Sequence, residues 1–375
     1  MRALTLALLT FLAPAACHGR APEATTVPAA SVGPRVEAGV PTSPPEAAVA
    51  FVPRKVVDDG RRVMGTHLVM MAFTSPSRDE DAVRRAFEAA VLEINRIETA
   101  MTTWRPDSEV SRINAAAGQA PVPVSPETFD VIAAAVHTSE ISDGTFDITF
   151  ESLHGLWKFD EDLDPHPPSA ASIKAKLPLL NYRHIHLGPE GHTVFLDAAG
   201  VKIGLGGIAK GYAVDRAAKV LMDAGITSFI VQAGGDLFAH GNKPDGAPWS
   251  AGIRDPRGPE GSFFAMLEVT DHAFSTAGDY ERSYVVGGRR FHHIIDPRTG
   301  YPATASRSVT IWAPSALVAD EIDDAVFILG PENGLSLVES LDGVGAVIVD
   351  PSNKVWVSKR LLGKIKILGP PTDAL

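Results

Sequence analysis

The stretch GLGGIAKGYAVDRAAKVLMDAGI, Gly204–Ile226, passes from a glycine-rich loop into a helix. Tyr212, Ala213, Ala217, Val220 and Leu221 supply the apolar stripe of that helix, and Gly225 stops it. Glycines let backbone N–H groups approach an anion closely, a helix N-terminus adds positive potential, and Lys210 brings a point charge beside it. The same pattern also occurs as nothing more than a tight connection. Its spacing is neither that of a P-loop nor the G-x-G-x-x-G of a dinucleotide site. The signature of a doubly wound nucleotide fold is therefore missing.

Outward from this loop, helices and strands alternate without a steady βαβ rhythm. In RDEDAVRRAFEAAVLEINRIETAM, residues 78–101, Val83, Phe87, Val91, Ile94, Ile97 and Met101 recur every three or four positions, which predicts an amphipathic helix. A second helix is expected from Pro126 to about Ser142, capped by Ser125 and followed by Gly144. HTVFLD, SFIVQAG, FAMLEVT, RSVTIWA and GAVIVD read as strands. The irregular order predicts an α+β fold with mixed or antiparallel sheets.

The 375 residues allow two cores or one large body with two lobes, and the net charge of -11 argues against sequence-independent nucleic-acid binding. The chain opens MRALTLALLTFLAPAAC, one arginine and an apolar run too short to span a bilayer, the order of a secretory signal. That run ends at Cys17, the single cysteine, so no internal disulfide forms. PAAC resembles a bacterial lipobox, with Pro14 where that motif prefers an aliphatic residue; an ordinary cleaved signal is the other reading. The expected organisation is a signal over 1–17, an extended Pro/Ala-rich tether over 18–53, and a globular body over 54–375.

Several constellations carry chemistry. In PSALVADEIDDAVFILG, residues 314–330, Asp320 and Asp324 lie four apart on one helix face, where like charges repel and an oxygen-seeking cation such as Mg²⁺ would relieve them. The alternative is a solvated acidic face at a helix start. In RRFHHIIDPRTG, residues 289–300, strand alternation sends His292 and His293 to opposite sides, so one of them can face a cleft as a general base. Asp296 either orients an imidazole or caps the DPRTG turn. Trp104, flanked by Arg105 and Arg112, offers a stacking surface for a flat heterocycle, and Phe146 and Asp147 follow a glycine turn.

In chain order, MGTHL (64–68), MTTWRPDSEVSRIN (101–114), GTFDIT (144–149), LGGIAKGYAVD (205–215), QAGGD (232–236), STAGDY (275–280), HIIDPRTG (293–300) and SVTIWAPSALVADEIDDAVFILG (308–330) resemble the ApbE family of FAD:protein FMN transferases, often exported bacterial lipoproteins. The resemblance implies Mg²⁺-dependent transfer of FMN from FAD to a threonine or serine hydroxyl of a partner protein, with release of AMP. It implies metal ligation by Asp320, Asp324 and the carbonyl near Gly207, and His293 as base. It also implies Lys210 beside the phosphates, Trp104, Thr145, Phe146 and Asp147 at the flavin or adenine, and Met64 lining the pocket. Three positions depart from the family pattern: Asp324 replaces a usual threonine, Gly204 a frequent aspartate, and Trp104 a common tyrosine. The implied partner carries an S/T-G-A-T/S-like acceptor motif, absent from this chain, and belongs to a membrane-associated redox system. The implied place is the periplasm, on a lipid anchor at Cys17. FAD hydrolysis to FMN and AMP, and flavin binding without turnover, are the competing readings.

Overall fold

A computed structural model describes residues 51–159 and 163–374. The signal, Cys17 and nearly all of the tether lie outside the described residues. Residues from Phe51 onward form one compact unit. Among the described residues, no helix is long and apolar enough to cross a membrane.

An eight-stranded sheet forms the middle layer. Its order is Lys55–Val63, Thr66–Phe73, Phe229–Ala233, Asp236–His240, His272–Gly278, Ser308–Ala313, Gly345–Val349 and Val355–Val357. Every neighbouring pair is antiparallel, which makes the α+β expectation specific. Side chains alternate between the faces, so neighbouring residues serve different cores. Ile311 and Ile348 join the larger core beneath the helices. Trp312, Val347 and Val349 join a second core closed by the small sheet of Ser250–Arg254, Phe263–Glu268 and Ile365–Ile367. The two lobes expected from chain length are thus two cores on opposite faces of one sheet.

Among the described residues six α-helices follow in chain order: α1 (Glu80–Met101), α2 (Glu109–Ala115), α3 (Pro126–Ile141), α4 (Ala170–Lys176), α5 (Ala209–Asp223) and α6 (Ala316–Ser340). The whole apolar stripe expected in α1 is buried, and Asp79 caps that helix through the Ala82 N–H. Ser125 caps α3 as its sequence indicates. Just past its middle α6 breaks at Gly330, whose φ is 76° and which precedes Pro331.

The helices α5 and α6 cap each other. Asp215 of α5 accepts hydrogen bonds from Ala316 N (2.7 Å) and Leu317 N (2.9 Å), at the N-terminus of α6. Asp320 of α6 accepts from Gly211 N at 2.9 Å, at the N-terminus of α5, where no side chain of the preceding loop serves as cap. Each carboxylate lies four residues past the point where its own helix is capped, and each answers donors that a helix start leaves unmatched. Gly211 makes the crossing possible, since a Cβ there would lie 2.2 Å from Ala316 O and 2.7 Å from Asp320 Cβ. Gly211→Ala is therefore expected to cost on the order of 2 kcal/mol, outweighing its gain in helix propensity. Gly206→Ala, where nothing lies within 4 Å, should stay within about 0.5 kcal/mol of the parent. Equal urea midpoints for the two variants would refute this account of the crossing.

Candidate functional site

Where the capped ends of α5 and α6 meet the sheet, Lys210 stands among carboxylates. Its Nζ lies 2.9 Å from Asp320 Oδ1 and 3.1 Å from Asp236 Oδ2. Asp236 opens the sheet strand after the Gly234–Gly235 turn and is almost fully buried. Asp323 completes the group through Ser275, whose hydroxyl lies 2.6 Å from both Asp236 Oδ1 and Asp323 Oδ2. A hydroxyl has one proton to give, so both contacts are hydrogen bonds only when one of these carboxyls is itself protonated.

The acidic face of α6 is not a solvated one. Asp320, Glu321 and Asp323 are buried, and Asp324 is half-buried. Burial, reinforced by Asp236, pushes Asp320 up to about 7 although Lys210 pulls the other way. Burial pushes Asp324 up to about 6 and, with Asp324 and Asp320 alongside, raises Asp323 well above the carboxylate range. Burial also opposes the charge on Lys210, but Asp236 and Asp320 outweigh it and hold the ammonium above the ordinary lysine range. The positive helix end expected to hold an external anion already takes one of the chain's own carboxylates, Asp320.

Gly207 lies against this cluster. A Cβ there would stand 2.8 Å from Asp324 Oδ2 and 3.4 Å from Phe146, so the missing side chain lets the loop backbone, the second helix carboxylate and an aromatic ring meet. Among the described residues, no three His, Cys, Asp or Glu side chains already converge as a finished cation cage. The oxygens able to contribute to one are those of Asp320, Asp324 and the Gly207 backbone.

The two histidines differ in burial, but not through strand alternation: the strand Arg289–His292 ends at the first, and His293 lies in the bend that follows. His292 is 3% exposed and donates from Nε2 to Ala303 O at 2.9 Å. His293 turns an exposed edge to solvent. Desolvation, limited by the exposed edge, and the nearby Arg282, His292 and Lys210 lower its pKa below the histidine range, leaving a neutral imidazole. Asp296 serves the turn: its carboxylate takes the guanidinium of Arg298 at 2.8 Å, and its carbonyl accepts from Gly300 N. A wide depression of about 320 Å³ borders the same turn, lined by Arg289, Asp296, Thr299 and Tyr301; it does not include the Lys210 cluster.

The aromatic and polar residues expected around a heterocycle take different places. Trp104 is 76% exposed, with the ring of His154 edge-on at 6.0 Å. Phe146 is buried against Gly207. Thr145 spends its hydroxyl on Ser142 O. Asp147 accepts from Thr149 N, Thr149 Oγ1 and Tyr182 N; both residues hold the frame of the loop. Met64 occupies a hairpin turn with φ of 47°, tied by its N–H to Glu98. Asp236, Ser275 and Asp323 were not singled out from sequence, although QAGGD and STAGDY lie among the family-like segments. A carboxylate directly after two glycines was the available signal for Asp236.

The ApbE family model matches residues 64–348. An FAD:protein FMN transferase of Treponema pallidum is 33% identical over 302 residues, covering 76% of this chain and 83% of that protein. One from Klebsiella pneumoniae is 31% identical over 327 residues, 86% of this chain and 90% of its own length. The crystal structure of the ApbE protein of Thermotoga maritima superposes with a TM-score of 0.75 at 32% identity, covering 83% of this chain and 99% of that one. The flavin transferase ApbE of Vibrio cholerae gives 0.72 at 27% identity, covering 84% and 100%. With the family model spanning most of the sheet, the glycine loop and the carboxylates of α6, the chain belongs to the ApbE family.

Proposed function

We propose that this chain transfers FMN from FAD to a threonine or serine hydroxyl of a partner protein. The observation that carries the reading is the meeting of Lys210, the Gly207 loop and the buried carboxylates of α6, in a family whose relatives bear that activity in their names. In this reaction the hydroxyl oxygen attacks the phosphorus on the FMN side of the pyrophosphate. A new P–O bond forms, the pyrophosphate bridge breaks, AMP leaves, and the hydroxyl proton passes to a base. His293 is the residue we assign as base: its imidazole is neutral and exposed, and the lowered pKa that Arg282, His292 and Lys210 help to impose would rise toward the working range once the negative phosphates of FAD lie beside it. Lys210 offsets charge on the phosphoryl oxygens. Trp104, exposed beside His154, offers a stacking face for a heterocyclic part of FAD, while Phe146, buried against Gly207, supports the loop from behind.

The donor set suits Mg²⁺, because two carboxylates and a backbone carbonyl are oxygen ligands and Mg²⁺ keeps waters for the remainder. Asp320, Asp324 and the Gly207 carbonyl would hold it. When bound, the ion supplies Lewis-acid stabilisation of the transferred phosphoryl group. The acceptor is a protein with an S/T-G-A-T/S-like segment, in a membrane-associated redox system. We place the enzyme in the periplasm, anchored through Cys17, on the strength of its first seventeen residues.

The direct test incubates the protein with FAD, Mg²⁺ and an acceptor bearing that motif. Covalent flavin fluorescence on a denaturing gel, with AMP released in step, is the expected result. AMP without labelled protein would replace transfer by FAD hydrolysis. Neither product would leave flavin binding alone.

The two histidines should separate by readout. His293→Ala is expected to lower AMP release at least about a hundredfold while leaving the unfolding midpoint in place. His292→Ala should instead cost about 2 kcal/mol of stability, since it orphans the Ala303 carbonyl and opens a buried gap. Comparable catalytic loss in both, at equal stability, would remove His293 from the base role.

Metal affinity should depend on pH. A carboxylate raised to about 7 is mostly ionised at pH 8 and mostly protonated at pH 6, and protons compete with the ion for it. The half-saturating Mg²⁺ concentration should therefore rise roughly tenfold from pH 8 to pH 6. A flat response in AMP release titrated with Mg²⁺ would take Asp320 out of the metal set.

A further inference from the structure

Glu151 is a carboxylate that the reaction above does not use. It lies in the short 3₁₀ segment Ile148–Leu153, directly after Asp147. Its side chain is 15% exposed, His154 Nδ1 lies 3.4 Å from Oε1, and Lys202 is a second positive neighbour. The other oxygen, Oε2, stands beside Gly204, where a Cβ would come within 2.9 Å of it and within 3.2 Å of Glu151 Cβ. The backbone at Gly204 is not left-handed. What excludes a side chain there is Glu151 itself.

The placement is firmly built. Gly204 N donates to Ile148 O at 2.9 Å, Lys202 N donates to Ser152 Oγ at 2.9 Å, and Asn114 brackets Ile203 through both its amide atoms. Three residues further on, Gly207 touches Phe146 and Asp324. In the other direction, His154 joins Glu151 to the exposed ring of Trp104. One wall therefore runs from an open aromatic face, past a largely enclosed carboxylate, to the reacting cluster.

We propose that Glu151 is a substrate-binding residue, whose carboxylate accepts a hydrogen bond from an N–H donor of an FAD heterocycle lying against Trp104 and His154. The carboxylate replaces, from a neighbouring segment, the side chain that Gly204 lacks. Burial raises the pKa of Glu151 although His154 and Lys202 pull the other way, and a ligand N–H would favour the charged form further. Both the flavin imide and the adenine amine carry such a donor. This inference rests on FAD being the substrate.

The test measures the Kd for FAD by equilibrium dialysis and transfer by gel fluorescence, for the parent, Glu151→Gln, Glu151→Gly and the double variant Glu151→Gly/Gly204→Asp. Glycine at 151 removes the Cβ that would crowd a side chain at 204. The two single variants are expected to bind FAD about tenfold more weakly, with the Gln variant unfolding at the parent's midpoint. The double variant should recover most of the loss, which repair of packing alone would not produce. Competition by FMN and by ADP assigns the donor: weakened FMN binding marks the flavin, weakened ADP binding the adenine. The inference is overturned if Glu151→Gln binds FAD as the parent does, or if the double variant binds no better than Glu151→Gly. A parent that labels acceptor protein while Glu151→Gln binds FAD normally sinks Glu151 and leaves transfer standing. Glu151-dependent FAD binding by a parent that labels nothing does the reverse.

Discussion

The exchange of caps between α5 and α6 is the constraint on which the site depends. Asp215 closes the start of α6 and Asp320 closes the start of α5, so neither helix end is satisfied until both are in place. Because Gly211 has no side chain, the backbones approach closely enough for the exchange. This contact also delivers the chemistry. It fixes Lys210, at the first turn of α5, against a carboxylate from the first turns of α6, and sets both against the sheet strand that carries Asp236. Helix capping, usually a local device worth about 1 kcal/mol, here serves as a long-range positioning element.

Much of the fold was legible because its signals are local. The stripe of α1, the Ser125 cap and Pro126 start of α3, and the runs at Phe229–Ala233, Ser308–Ala313 and Gly345–Val349 need only their own neighbours to be read. Two of the strands that escaped notice are ones whose partners decide their conformation, whereas Thr66–Phe73, THLVMMAF, escaped although its apolar run is local. Lys55–Val63, KVVDDGRRV, is polar over most of its length and becomes a strand because Thr66–Phe73 pairs with it as a hairpin. His272–Gly278, HAFSTAG, is small and mixed, and is held between two other strands of the sheet. Pairing across the chain overrode weak intrinsic preference in both.

The site divides in the same way. Spacing alone placed Asp320 and Asp324 on one face, but the alternation expected of His292 and His293 gives way to a strand that ends at His292. Spacing could not show that the acidic face of α6 is buried, because the groups that make burial tolerable come from remote segments. Lys210 is 110 residues before Asp320, and Ser275 is 48 residues before Asp323. A window of sequence containing only ADEIDDA reads as solvated for good reason. The same limit hid Glu151: the absent side chain at Gly204 looked like a lost contact until the structure showed another carboxylate in its space.

The charge balance of the cluster completes the argument. Asp236, Asp320, Asp323 and Asp324 bring four carboxylates to one ammonium, a ratio that a buried group does not sustain in ionised form. For both Ser275 contacts to be hydrogen bonds one carboxyl must carry a proton, and burial together with the neighbouring Asp324 and Asp320 favours the protonated form at Asp323. Lys210 offsets part of the negative charge that remains, and a protonated Asp323 lowers that charge further. On the proposed metal reading, a cation bound at Asp320 and Asp324 would draw both toward the ionised form that burial opposes.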